Sequence, residues 1–150
     1  TVFSVDYLQE YSDEYGESAA DKVLVHVAEL LHHNMRGTDK TYRYDNEEFL
    51  FLMPDTNSYG SIIATERLRN VISSSDFKND KSPLGRLTIS AGIAINLEDE
   101  WKQTVEYANS TMRTAKSIGP NMVYLHSIKD GAICVSDMAE DAAPTPEQAS

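Results

Sequence analysis

Cysteine is almost missing from this chain. Cys134 is the one thiol in 150 residues, so no internal disulfide can form, and a reducing compartment fits. No apolar run approaches the ~20 residues a membrane helix needs, and no signal peptide is visible. Basic side chains are also scarce: 13 Lys and Arg stand against 24 Asp and Glu, a formal net charge of −11. Such a surface repels phosphate backbones and anionic headgroups, which argues against a general nucleic-acid or membrane-surface binder. It leaves room for a specific anion pocket built from a few arginines. The opening Thr1-Val2-Phe3 has no initiating Met, so a piece of a longer protein is expected.

What is present is ordinary globular usage. Hydrophobic residues are 41% and charged residues 25%, which excludes disorder of the whole chain. A single domain of this length buries roughly 68–70% of its unfolded surface and holds a core without staples.

Thr1 to Val5 reads as a strand, and Tyr7 to Tyr15 as a polar helix ended by Gly16. Ser18 is the expected N-cap of a second helix, in which Ala20, Val23, Leu24, Val27, Leu30 and Leu31 share one face. Thr41–Tyr44 and Phe49–Met53 read as a hairpin. Its turn is expected at Asp45-Asn46, residue types that tolerate positive φ. After a turn at Pro54–Asn57, a third helix carries Ile62, Ile63, Glu66, Leu68 and Val71. A polar loop runs from Ser73 to Pro83. The long apolar run Leu87–Ile95 reads as a central strand buried on both faces. Glu100 to Ser117 predicts a fourth helix with Trp101, Val105, Ala108, Met112 and Ala115 inward. Met122–Leu125 predicts a strand, and Ala132–Val135 a short edge strand after a turn at Asp130-Gly131.

The order β-α-α-β-β-α-β-α-β predicts an α/β (α+β) fold, a mixed central sheet with helices on its faces. Residues 1–128 are expected to form the domain. Residues 129–150 carry five acids and one lysine and read as the edge strand followed by an acidic disordered tail.

At the hairpin the chain resembles a known family. Arg43-Tyr44-Asp45-Asn46-Glu47-Glu48-Phe49-Leu50-Phe51-Leu52-Met53-Pro54-Asp55-Thr56 is similar to the signature hairpin of GGDEF domains, the bacterial diguanylate cyclases. Asp6, Ser12–Gly16 and Asp21 match an earlier family stretch. Glu66–Arg69, Thr88–Ala94 and Ala115–Asn121 match later ones. The likeness covers roughly residues 1–125, and its strength lies in the order and spacing of the segments. It implies a palm-like nucleotidyl-cyclase fold. Active members join two GTP into cyclic di-GMP, one GTP per domain of a dimer, using Mg²⁺ held by two carboxylates.

Carried over position by position, the resemblance implies a decayed substrate site. The first metal carboxylate falls on Ser4, a poor ligand for an ion that wants hard, charged oxygens. Asp6 lies about 7 Å further along at ~3.3 Å per residue and cannot simply substitute. Glu47 keeps the second metal carboxylate. The phosphate-binding lysine is Gln9, the guanine-reading asparagine is Ser12, and a late phosphate arginine is Pro120; Asp21 and Lys116 are kept. The signature glycines are Asp45 and Asn46, which add β-carbons and a negative charge where a triphosphate lies. At ~1.5–3 kcal/mol per lost charge-assisted contact, the combined deficit implies no meaningful cyclase activity. Glu47-Glu48 then reads as a solvated acidic hairpin, and Mg²⁺ is not expected to bind well.

The resemblance also implies an intact product site. Arg36-Gly37-Thr38-Asp39 is an Arg-x-x-Asp motif six residues ahead of Asp45, the family's spacing. Arg36 is expected to grip phosphate and the guanine Hoogsteen edge, and Asp39 to accept from guanine N1 and N2. Arg67 falls on a secondary arginine that completes the site from a neighbouring domain. The plainer reading is that Arg36 and Asp39 form an ordinary loop pair. The asymmetry between decayed catalytic and standing product positions favours the first.

The expectation is therefore an inactive GGDEF domain that binds cyclic di-GMP. It would act as a receptor or interaction module toward an unidentified signalling protein in the bacterial cytoplasm, with homodimerisation open to it. The alternatives are a nucleotide-independent dimerisation or docking module, a weak residual cyclase, and an effector site for GTP through Asp21, Glu47 and Lys116. No catalytic residue and no resident cofactor is assigned. His26, His32, His33 and His126 are scattered and read as non-ligands.

Overall fold

The computed structural model describes residues 1–96 and 100–136. The described residues form six strands and four helices, in the order β1 (Val2–Val5), α1 (Leu8–Tyr15), α2 (Glu17–His33), β2 (Lys40–Asp45), β3 (Glu48–Leu52), α3 (Ser58–Ser73), β4 (Ile89–Ile93), α4 (Trp101–Ile118), β5 (Val123–Ser127) and β6 (Gly131–Cys134). The sheet order is β2-β3-β1-β4-β5-β6. Among the described strands only β4 and β5 run parallel, so the sheet is mixed, as the element order predicts.

The central strands carry the core. All four residues of β1 and all five of β4 are buried. Phe3 and Phe49 stack across the β1–β3 pair with ring centroids 5.3 Å apart. Helix α2 lays Ala20, Val23, Leu24, Val27 and Leu31 into the same cluster, at the spacing the sequence shows. Helix α4 lies on β4 at very close range. A β-carbon on Gly92 would stand 2.2 Å from the Ala108 carbonyl oxygen and 2.2 Å from the Met112 amide nitrogen. Only glycine allows that approach, and it sets the height of α4 and of Lys116 in its last turn.

Four local expectations need correction. Ser18 does not cap α2: Gly16, at φ 91°, joins α1 to α2, and no side chain caps either start. The hairpin turn lies at Asn46-Glu47, one residue later than expected. Neither Asp45 nor Asn46 has positive φ. A register shift between Arg43 and Asp45 pairs Asp45 with Glu48. The strand expected over Leu87–Ile95 is only Ile89–Ile93. Trp101 is 62% exposed rather than inward, because α4 turns Ala108, Thr111, Met112 and Ala115 to the sheet. The acidic tail expected from Asp137 lies outside the described residues.

Candidate functional site

The end of β1, the start of α1 and the β2–β3 hairpin meet at one corner. Two adjoining cavities of about 260 and 350 Å³ open there and share Leu8, Gln9 and Glu47. Asp6, Lys116 and Pro120 line the first; Ser12, Asp21, Arg43 and Asn46 line the second. The structure thus gathers Gln9, Ser12, Asp21, Glu47 and Lys116 around one groove. Asp45 and Glu48 flank the turn beside it.

Ser4 is 1% exposed and faces this corner. Its Oγ accepts from Lys116 Nζ at 2.7 Å, and the same ammonium lies 3.7 Å from Glu47 Oε1. Gln9 donates from Nε2 to Asp13 Oδ1 at 2.8 Å. Burial pushes the Glu48 carboxyl up, and the neighbouring Asp45 and Glu47 add to this; Arg113 and Lys116 oppose it. Arg43 folds over the hairpin. It donates to the Asp45 carbonyl at 3.2 Å and to the Asn46 carbonyl, with its guanidinium 5.6 Å from the Phe49 ring centroid.

These residues do not fit a magnesium ion. Mg²⁺ takes oxygen ligands at 2.0–2.1 Å in near-octahedral array. Here one carboxylate and one neutral hydroxyl face each other across an ammonium. Among the described residues, no group of three or more His, Cys, Asp or Glu could hold a metal ion.

Asp6 has a separate task. It is 2% exposed and accepts from Thr88 Oγ1 at 2.8 Å, Ser90 Oγ at 2.9 Å and the Asn121 amide at 2.8 Å. It ties β1 to β4 and to the loop after α4. Burial raises its carboxyl above the usual range, and the Asn121, Thr88 and Ser90 bonds pull it back. The one sequence signal for this brace is Thr88 and Ser90 at i and i+2, on one face of a strand.

The loop after α2 holds the second group of candidates. Asp39 has a fully buried side chain and accepts from the Arg36 amide and Nε and, at 3.0 Å, from Nη2. Arg36 stays 49% exposed, and its Nη2 also donates to Thr56 Oγ1 at 2.6 Å. Sequence reasoning gave Thr56, the last residue of the quoted hairpin stretch, no role, and its bond to Arg36, 20 residues away in the chain, carries no sequence signal. Arg67 reaches from α3 to the Asn34 carbonyl at 3.1 Å, two residues from Arg36. Arg36 and Asp39 therefore pair within the loop after α2, and Arg67 bonds the same loop at Asn34. Arg36, Asp39, Lys40, Tyr42 and Arg43 also border a cavity of about 760 Å³ between α2 and β2.

The comparisons with known proteins agree with this architecture. The family model described as "Diguanylate cyclase, GGDEF domain" matches residues 2–122. Diguanylate cyclase DgcP of Pseudomonas aeruginosa is 34% identical over 119 residues, 79% of this chain and 18% of that protein. Diguanylate cyclase A of Treponema denticola is 29% identical over 127 residues, 83% of this chain and 34% of that protein. The chain thus spans about a third or less of the length of these relatives. In structure it is similar to the GGDEF domain of DgcB from Caulobacter crescentus in complex with c-di-GMP. That likeness has a TM-score of 0.72 at 22% identity, over 83% of this chain and 74% of that one. It is also similar to diguanylate cyclase SiaD of Pseudomonas aeruginosa in complex with its activator SiaC. Here the TM-score is 0.74 at 26% identity, over 83% of this chain and 48% of that one.

Proposed function

The chain belongs to the GGDEF domain family, and we propose that it is a member that binds cyclic di-GMP without making it. Arg36, Asp39 and Arg67 form the ligand site in this reading, and the groove at Ser4, Gln9, Ser12, Asp45 and Asn46 is vestigial. The preset Arg36 side chain carries the reading: it is exposed and held in place by Asp39 and Thr56, while Arg67, also exposed, would complete the site of a neighbouring domain. A preset guanidinium fork suits both a phosphate and the O6/N7 edge of guanine. The otherwise acidic surface, at −11 overall, leaves a doubly anionic ligand few other places to bind. The GGDEF domain of DgcB was solved with c-di-GMP, which supports the ligand class for this fold.

The output is a change in a partner surface, or a link between two copies, in bacterial cytoplasmic second-messenger signalling. No helix among the described residues is long and apolar enough to cross a membrane. One observation favours the plainer rival. The Asp39 carboxylate is fully buried and already occupied by Arg36, which suits a structural loop pair in a nucleotide-independent docking module. Calorimetric titration with cyclic di-GMP separates the two. The proposal expects micromolar or tighter binding, about −8 kcal/mol, lost in Arg36→Ala. No heat from the folded wild-type chain would reject it.

A further inference from the structure

We infer that the Lys116 ammonium is the resident cation of the β1–hairpin corner and that this corner excludes divalent metal. The inference rests on reading Ser4 and Glu47 as the family's metal positions, and not on cyclic di-GMP binding.

Three features set the ammonium there. Gly92 lets the α4 backbone press against β4, which fixes the height from which Lys116 reaches. Ser4 supplies a short neutral acceptor in the bottom of the corner, 2.7 Å from Nζ and 1% exposed. Glu47 supplies the opposite charge from the hairpin, 3.7 Å away. Lys116 also acts on Asp6 and Glu48, so one side chain balances carboxylates from the hairpin and from the stretch between β1 and α1. A divalent ion bonded to Ser4 Oγ at about 2.1 Å would have to displace the ammonium from that oxygen. It would also gain a hydroxyl where a carboxylate is needed.

The change at position 4 is thus coupled to the lysine. An aspartate there would add a second anion and call for a stronger cation. Serine lets a tethered single charge suffice. The corner keeps its electrostatic balance in the absence of any metal, and its stability does not depend on one.

Manganese is the probe, read by loss of the free Mn²⁺ paramagnetic resonance signal and by melting temperature. The 150-residue chain is expected to give no saturable Mn²⁺ binding in the millimolar range and the same melting temperature in Mg²⁺ and in EDTA. The Ser4→Asp/Lys116→Met double variant, folded by circular dichroism, is expected to bind Mn²⁺ at least about tenfold more tightly than wild type. Saturable Mn²⁺ binding to wild type that disappears in Glu47→Gln would overturn the inference, and the wild-type arm decides this whatever the double variant does. A folded double variant without the gain would overturn it as well. Neither result bears on the calorimetric titration with cyclic di-GMP.

Discussion

Replacing Asp6 separates hydrogen bonding from charge in the centre of the domain. Its two oxygens accept from the Thr88 and Ser90 hydroxyls and the Asn121 amide, all within 2.9 Å, the two hydroxyl bonds buried and the amide bond partly so. Asp6→Ala removes every acceptor at once. Each stranded buried donor costs about 1–3 kcal/mol, and the two hydroxyls can rotate toward other partners, so the expected loss is about 3–5 kcal/mol. In a domain of this size that lowers the melting temperature by roughly 10–15 °C. Asp6→Asn keeps one oxygen for Thr88 and Asn121 and turns an amide toward Ser90, whose oxygen can accept. It also removes a charge that burial disfavours, so the expected change is within about 1 kcal/mol of wild type. The pH dependence follows with a definite sign. The native Asp6 carboxyl lies above its ordinary 3.8, so the folded state holds its proton more tightly than the unfolded one. That contribution is fully present below 3.8 and is lost as pH rises through the native value. Wild type should therefore lose stability relative to Asp6→Asn across this window. Urea unfolding of the three proteins at several pH values measures both effects. If Asp6→Asn were as damaging as Asp6→Ala, the carboxylate charge and not the acceptor geometry would hold the corner, and the reasoning would fail.

Three further outcomes can be checked. Gly92→Ala should cost about 3 kcal/mol in denaturant unfolding, because its methyl meets the α4 backbone at 2.2 Å; a change below about 0.5 kcal/mol would show that α4 moves freely. GTP with Mg²⁺ should yield no cyclic di-GMP by chromatography. Ser4→Asp alone should not restore it, since Gln9, Ser12 and Pro120 still leave the phosphates and base unheld; product from wild type would reject the inactive reading. The exposed Tyr15 phenol, bonded to Asp80 Oδ2 at 2.6 Å, is pushed up to about 12. Its NMR titration should return toward 10 in Asp80→Asn, and an unchanged titration would show that this bond does not form in solution.

Much of the fold is legible in the residues because its signals are local. The α2 face needs only 3–4 spacing, and the buried β4 needs only an unbroken apolar run. The misjudged details depend on partners far along the chain. Trp101 fits the apolar period of α4, yet the close seat of that helix on Gly92 leaves its first turn off the sheet. The hairpin turn moved because Asp45 found a strand partner in Glu48, an outcome that residue type alone does not decide. In the site, Ser4 reads as a bare loss until Lys116, 112 residues later, is seen bonded to it. Asp39 reads as a free acceptor until its burial against Arg36 is known. Asp6 reads as a spare carboxylate until Thr88, Ser90 and Asn121 close around it. Motif spacing identifies positions, whereas occupancy of those positions by other side chains is a tertiary property.

The most direct test of the account is an amide NMR titration of the ¹⁵N-labelled chain with cyclic di-GMP. Saturable shifts concentrated at residues 34–39 and around Arg67, absent in Arg36→Ala, are the predicted result. Shifts confined to the groove at Gln9, Ser12 and Glu47, or no shifts at all, would contradict it.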